Sequence, residues 1–382
     1  MERIEVLGAG AGAWDELLER CRHDAYHTAG FHRFAGGSGE GEPRLVVVRD
    51  GDRGLAWPYL LRRLAVEPVF AGTDATDVTS VYGYPGPVAW GCTPGDPFLD
   101  VAWRAVVGTW RDDGAVAAFT RFNPLLRNES LVPEARPGMG SDVVGTILQC
   151  GPTVSVDCTV DDETANAGYA RALRQHIAAA RRAGLTTVED TSWDALPEFA
   201  RMYERTMVRN AAADYYFFTR DDFERLRHGL GPQVHLLTTR HANGVAAAGL
   251  FTECDGIVQA HLVGTDEAFL RLSPAKLLFD DARRWARERG DRLLHLGGGR
   301  GGREDSLFFF KREFSPRRHE FHTGRWILDR ARYAQFSRAV GGHSEDRVAD
   351  GAAFFPGYRW SGRTADGSAA AGKPIGEAVL SG

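Results

Sequence analysis

Helical and strand periods alternate clearly along the second half of the chain. Leu196, Phe199, Tyr203 and Met207 share one face at helical spacing, in a segment that opens at Ser192, a capping residue type, and runs to about Asn210. Upstream, Glu163 to Ala183 reads as one long helix closed by Gly184. Thr219 with Asp222 forms a capping box for a third helix. Three strands follow: Val234 to Arg240, Val245 to Glu253 and Ile257 to Gly264. They are joined at Asn243-Gly244 and Asp255-Gly256, dipeptides that favour tight hairpin turns. Pro274 to Arg289 is a helix with Ser273 as its cap, proline in its first turn and Gly290 behind it. Arg292 to Leu296 is a short buried strand, and six residues rich in glycine, Gly297 to Gly302, come after it. We read these as a loop that lets a substrate approach the backbone closely.

The first half is less regular. Ala13 to Arg22 and Phe98 to Arg111 are amphipathic helices, and Arg44 to Arg49, Leu55 to Leu64 and Ala115 to Phe122 are strands. Val132 to Ser141 carries two prolines and two glycines and reads as a loop. Residues 361–382 hold few large apolar side chains and are expected to be disordered. The fold class is α/β with mixed sheets. The expected domains are 1–150 together with about 320–360, and 151–319.

Composition narrows the function classes. The 382 residues are 43% apolar and 25% charged, as in an ordinary globular protein. No apolar run is long enough to cross a bilayer, and the first residues do not read as a signal peptide, so the expected location is the cytoplasm. Net charge is −5, against a protein that coats nucleic acid with its whole surface. Basic charge is local: residues 283–318 hold eleven Arg and Lys against five Asp and Glu. That window is either a nucleic-acid footprint or a solvated helix face. Only Lys276, Lys311 and Lys373 are lysines among 46 basic residues, so a lysine marks a place suited to a compact ammonium. The five cysteines form no C-x-x-C pair and read as reduced thiols. There is no G-K-[ST], no helix-opening G-x-G-x-x-G and no histidine set at metal-ligand spacing, so neither a cofactor nor a metal is expected.

The order helix, helix, three-stranded meander, helix, strand resembles the N-acetyltransferase superfamily. Tyr82-Gly83-Tyr84-Pro85-Gly86-Pro87, the segment Met202 to Tyr216, and LLHLGGGRGGREDSLFFFKREFSP at 293–316 resemble the Fem-type aminoacyltransferases. The resemblance spans most of residues 30–325. It implies two tandem N-acetyltransferase-like domains and transfer of an amino acid from aminoacyl-tRNA to an amine of a peptide-like acceptor. That acceptor would be a cell-wall precursor or a peptide natural product. The stretch after Arg209 departs from the family pattern and favours the natural product. A monomer is expected.

The resemblance assigns Lys311 to the oxyanion of the tetrahedral intermediate, with Phe314 beside it. Chemistry agrees: amine attack on an ester puts negative charge on the carbonyl oxygen, which a fixed cation stabilises. Otherwise Lys311 is a surface lysine behind a buried strand, Leu307 to Phe310. Thr206 and Arg209 match a T-x-x-R whose arginine contacts acceptor phosphates; the bland reading of Arg209 is a cation at a helix C-terminus. Tyr82, Tyr84 and Tyr216 are further acceptor-side candidates, or structural aromatics. Arg283, Arg284, Arg300, Arg303 and Arg312 are the tRNA candidates. Two other functions compete. One is an acyl-CoA-dependent N-acyltransferase of the same fold, which Pro274 disfavours because a proline in the pyrophosphate-binding turn offers no N–H. The other is a non-catalytic tRNA- or peptide-binding module.

Overall fold

The computed structural model describes residues 3–10, 12–133, 143–210, 212, 216–342, 347–351 and 353–359. The expected disordered tail, 361–382, and the loop residues 134–141 lie outside them. The chain divides into two compact units, Met1–Cys150 completed by a return at Phe321, and Gly151–Glu320.

The first unit begins with β1 (Arg3–Gly8), α1 (Gly12–Leu18) and α2 (Ala29–Gly37). Then come β2 (Glu42–Asp50), β3 (Arg53–Arg63), β4 (Thr76–Thr79), β5 (Val88–Trp90), α3 (Pro97–Asp112) and β6 (Ala115–Arg121). Strand β7 (Val144–Asp157) carries the chain into the second unit. There follow α4 (Asp162–Gly168), α5 (Arg171–Arg182), β8 (Thr186–Glu189), α6 (Leu196–Arg209), α7 (Arg220–Leu230), β9 (Val234–His241), β10 (Gly244–Cys254) and β11 (Ile257–Thr265). The unit closes with α8 (Pro274–Arg289), β12 (Leu293–Gly298) and α9 (Ser306–Arg312). Strand β13 (Arg318–Ile327) leads back, and α10 (Arg330–Ala339) follows.

In the first unit the strands run in the order β1-β2-β3-β4-β6-β13, with β5 also on β3. Its core is aromatic. Trp57, Trp103, Trp110 and Trp326 stand with ring centroids 5.0–6.4 Å apart, mostly tilted or edge-on, as ring quadrupoles prefer. Buried Asp77 takes Arg62 on one side and Arg359 on the other, so a charge with no water is neutralised twice.

In the second unit the order is β7-β12-β11-β10-β9-β8. The Asn-Gly and Asp-Gly turns close β9–β10 and β10–β11 as expected, with antiparallel ladders. Strands β11 and β12 are parallel, and pair only through Ile257–Leu293, Val258–Leu294 and Gln259–His295. Beyond these pairs β11 stays with β10 to Thr265 while β12 stays with β7 to Gly298. The two strands therefore part at their carboxyl ends. A bulge between His295 and Gly297, where Gly297 has φ 75°, bends β12 at that point.

Several expectations are corrected here. The long helix is two, α4 and α5, because Tyr169 and Ala170 are extended. Tyr169 turns into the core, where its hydroxyl donates to Asp280 at 3.0 Å, and that burial outweighs one more helical turn. Ser192 caps no helix. Its hydroxyl oxygen lies 2.8 Å from both Asp190 Oδ1 and Asp194 Oδ2, with one proton to donate between them, and α6 starts at Leu196 with proline in its first turn. Ser273 precedes α8 in a left-handed conformation, φ 52°, and makes no side-chain cap bond. The run Leu307 to Phe310 is not a strand but the body of α9. The polar strands β4, β7 and β13 carry no alternation that the sequence reading found.

Glycine 151 abuts the glycine-rich segment, and a Cβ placed there would meet the Gly302 carbonyl oxygen at 1.7 Å, with φ at 152° besides. Gly151→Ala is expected to lower the unfolding free energy by about 1–3 kcal/mol, read from the urea midpoint at unchanged slope. An unshifted midpoint would show that Gly302 yields freely.

Candidate active site

Helix α9 is short and is held at both ends. Asp305 caps it, accepting from Leu307 N and Phe308 N at 3.1 Å each. The same carboxylate takes Arg300 through Nε at 2.8 Å and backbone N at 3.2 Å, which ties the glycine-rich segment to the helix start. At the other end Glu313 accepts from Lys276 Nζ at 2.8 Å, and its carbonyl accepts from Ala170 N at 2.9 Å. Lys276 also meets His176 Nδ1 at 3.1 Å. Leu307, Phe308 and Lys311 point inward from α9, while Phe309 and Arg312 are exposed.

Lys311 is only 4% exposed, and its Nζ donates to the Gly298 carbonyl at 2.7 Å, at the end of β12. Burial drives its basicity down from 10.5 to about 7, against the opposing pull of the Asp305 charge. Near neutral pH this ammonium is therefore close to losing its proton. An approaching negative charge would hold the proton on, which suits a group that answers charge as it develops.

Beside Lys311 a polar row crosses the sheet. Gln259, His295 and Ser155 are successive cross-strand partners on β11, β12 and β7. His295 Nδ1 lies 2.7 Å from Gln259 Oε1, and Ser155 Oγ lies 2.7 Å from His319 Nε2 on β13. The two imidazole centroids are 6.5 Å apart. Burial keeps His295 neutral, well below its ordinary range, and the charges of His319 and Lys311 push the same way. His319 is lowered too, by burial and then by Arg317. The lysine thus sits beside neutral polar groups, and the Asp305 charge raises its basicity against the effect of burial. Sequence reading missed this row and Asp305 alike. The available signal was three polar residues breaking apolar strands, meaningful only once the register is known.

The other candidates separate into groups. Phe314 is buried in the second unit's core against Tyr169, Phe279 and Phe310, so it supports α9 rather than touching a ligand. Thr206 is buried and donates to Met202 O at 2.7 Å, which uses its hydroxyl inside α6. Arg209 lies 3.4 Å from Thr206 Oγ1 and 3.3 Å from Glu267, half-buried at the end of α6. Tyr216 is buried, and its carbonyl accepts from the Tyr203 hydroxyl at 2.8 Å. Tyr215 lies outside the described residues. Tyr82 and Tyr84 belong to the first unit and are both buried there, Tyr84 edge-on to Phe321 and Tyr26.

Among the arginines, Arg283 is a correction. It is fully buried and bonded to Asp162, so no phosphate reaches it. Arg284 is committed to Asp162 and Asp280, and Arg300 to Asp305. Arg303 is exposed, with Nε donating to Arg300 O at 3.4 Å, and Arg312 lies over the Phe309 ring. Among the described residues no helix is long and apolar enough to cross a membrane.

Comparison with known proteins agrees with this architecture. Residues 167–312 match the acetyltransferase (GNAT) domain family model. The crystal structure of FemX superposes with a TM-score of 0.64 at 13% identity, covering 87% of this chain and 98% of that one. A conserved protein of unknown function from Bacteroides thetaiotaomicron gives 0.54 at 11% identity, over 85% and 99% of the two chains. The C-terminal domain of a protein assigned as a lysylphosphatidylglycerol synthetase from Agrobacterium fabrum gives 0.51 at 17%, over 81% and 92%. No curated protein matches the chain in sequence. The chain has the GNAT-type acetyltransferase fold.

The buried lysine makes a thermodynamic prediction. Its folded pKa is below its unfolded one, so the unfolded chain holds more protons between pH 7 and 10.5 and stability rises with pH across that window. Below about pH 7 the full penalty applies, on the order of 5 kcal/mol. Lys311→Met removes it and leaves the Gly298 carbonyl unbonded, at about 1–3 kcal/mol. The variant is expected to be at least as stable as the parent at pH 7, with its margin shrinking toward pH 10.5. Urea unfolding across pH checks this, and a pH-independent difference would contradict it.

Proposed function

We propose that this protein is an aminoacyltransferase that moves an amino acid from aminoacyl-tRNA to an amino group of a peptide-like acceptor. The observation that carries the reading is the buried Lys311 ammonium on the Gly298 carbonyl, beside the strand parting of a GNAT-type fold. The structural likeness to FemX and to the lysylphosphatidylglycerol synthetase domain adds to it. A fold shared with transferases and a buried cation at the end of β12 support the same reading.

In this reading the acceptor nitrogen attacks the ester carbonyl carbon. The C–N bond forms and negative charge collects on the carbonyl oxygen, facing Lys311. The ester C–O bond then breaks, and the proton lost by nitrogen ends on the departing ribose oxygen. Because Lys311 is desolvated, its charge acts in a low dielectric and needs no solvent reorganisation. A fixed donor of this kind is worth about 3–4 kcal/mol of barrier. Asp305 and Lys276 hold the helix that aims it. Arg209, with one side turned toward solvent, is the acceptor-side cation of this proposal.

An acyl-CoA donor fits less well. The pyrophosphate turn of such enzymes offers consecutive backbone N–H groups at a helix start. Here Pro274 has none, and Lys276 N is already bonded to Ser273 O at 3.0 Å. The reading is tested with purified protein, tRNA charged with labelled amino acids and a small-molecule extract as acceptor source. Label is expected to enter peptides, to stop after RNase, and to fall by about a hundredfold or more in Lys311→Met. Unchanged transfer by the folded variant would remove Lys311 from the chemistry. Transfer supported by acetyl-CoA instead of charged tRNA would replace the donor.

A further inference from the structure

The outward face of α9 carries a second feature that the chemistry above does not use. Phe309 is 42% exposed, one of few large apolar side chains left on the surface of the second unit. The Arg312 guanidinium lies 4.5 Å from its ring centroid. At the start of β13 the Arg318 guanidinium lies over the Phe308 ring at 5.4 Å, its Nη1 donating to Ser315 O and Arg317 O at 2.7 and 3.0 Å. Two neighbouring arginines are held by carboxylates, Arg300 by Asp305 and Arg317 by Asp157, while Arg303 donates to the Arg300 carbonyl. Among the described residues no carboxylate is ion-paired with Arg312 or Arg318. The two guanidiniums are close enough that, after burial, the Arg312 charge is the main influence lowering Arg318, with Glu304 opposing it.

Two neighbouring cations that are ion-paired with no carboxylate among the described residues favour an anion beside them. A part-exposed phenyl ring with a guanidinium over one face favours a flat aromatic partner on its remaining exposed surface. An unpaired nucleotide supplies both. We propose that Phe309, Arg312 and Arg318 form a stacking platform for the unpaired nucleotides at the 3′ end of the donor RNA. This rests on the aminoacyl-tRNA reading. The spacing suits it. Phe309 and Lys311 sit on opposite faces of one helix, about 10 Å across. At ~3.4 Å per stacked nucleotide, roughly three nucleotides span that width. With the terminal ester at Lys311, the platform takes a base two or three positions back, and Arg312 and Arg318 take its phosphates.

The test uses the full chain and two fluorescent RNAs, a stem-loop with a short single-stranded 3′ overhang and the same stem ending blunt. Anisotropy is followed between about 50 and 200 mM salt. The parent is expected to prefer the overhang by tenfold or more. Phe309→Ala should weaken overhang binding by about fivefold or more and leave the blunt stem unchanged, while Phe309→Trp should restore it. Arg312→Gln with Arg318→Gln should flatten the salt dependence by about one to two counterions. Equal overhang affinity for parent and Phe309→Ala, in a parent that still transfers the amino acid, would overturn the platform and leave the donor assignment standing. A parent that binds neither RNA and transfers nothing from tRNA would overturn both. Phe309 is exposed, so its variants keep the fold, and the arginine pair gives an independent reading on the same RNAs.

Discussion

One ammonium group buried away from water governs this structure. Lys311 is 4% exposed and donates to the Gly298 backbone carbonyl at 2.7 Å. A protein interior tolerates such a group poorly. The surroundings compensate in two ways. They keep the nearby histidines neutral, so no second positive charge adds to the first. They also place Asp305 at the start of the same helix, near enough for its charge to be felt but bonded to the helix N–H groups rather than to the lysine. The result is a cation held at the edge of ionisation.

The local architecture follows from keeping that group in place. A seven-residue helix has little intrinsic stability. Its ends are therefore fastened, by Arg300 through Asp305 at one end and by Lys276 through Glu313 at the other. Two of the three lysines in the chain thus serve one helix, in a protein that otherwise uses arginine. The glycines have a parallel purpose. Gly297 lets β12 bulge with a positive φ, and Gly151 lets β7 run against the Gly302 backbone. A phosphate cradle needs free N–H groups facing outward. These glycines instead allow close packing of main chains around the lysine.

What could be read in advance follows physical locality. The helix Pro274–Arg289, the Thr219–Asp222 capping box and the two tight hairpins depend on residues adjacent in sequence, and they form as their sequences predict. Lys311 stood out by its rarity and by the family resemblance. Elements decided by distant partners did not stand out. Tyr169 breaks a helix to reach Asp280, more than a hundred residues away. The strand Arg318–Ile327 is too polar to announce itself, yet five of its residues pair with the wholly buried β6. The row Gln259–His295–Ser155–His319 exists only once four strands are in register. Arg283 contributed to a charge-based footprint, but its partner Asp162 lies far away in sequence, and Arg283 is withdrawn from the surface, whereas Arg284 stays part-exposed beside Asp162 and Asp280.

The route of the chain also has a consequence in time. The second unit, Gly151–Glu320, is inserted between β6 and β13, two neighbouring strands of the first unit. During synthesis β6 is made long before its partner. At 5–20 residues per second, the 196 residues between the two strands, 122–317, take roughly 10–40 s to translate. Throughout that interval the apolar edge of β6 has no strand to pair with, while the inserted unit already has all of its own strands by its end. The nascent protein is thus expected to complete its inserted unit before the first unit can close its sheet on β13.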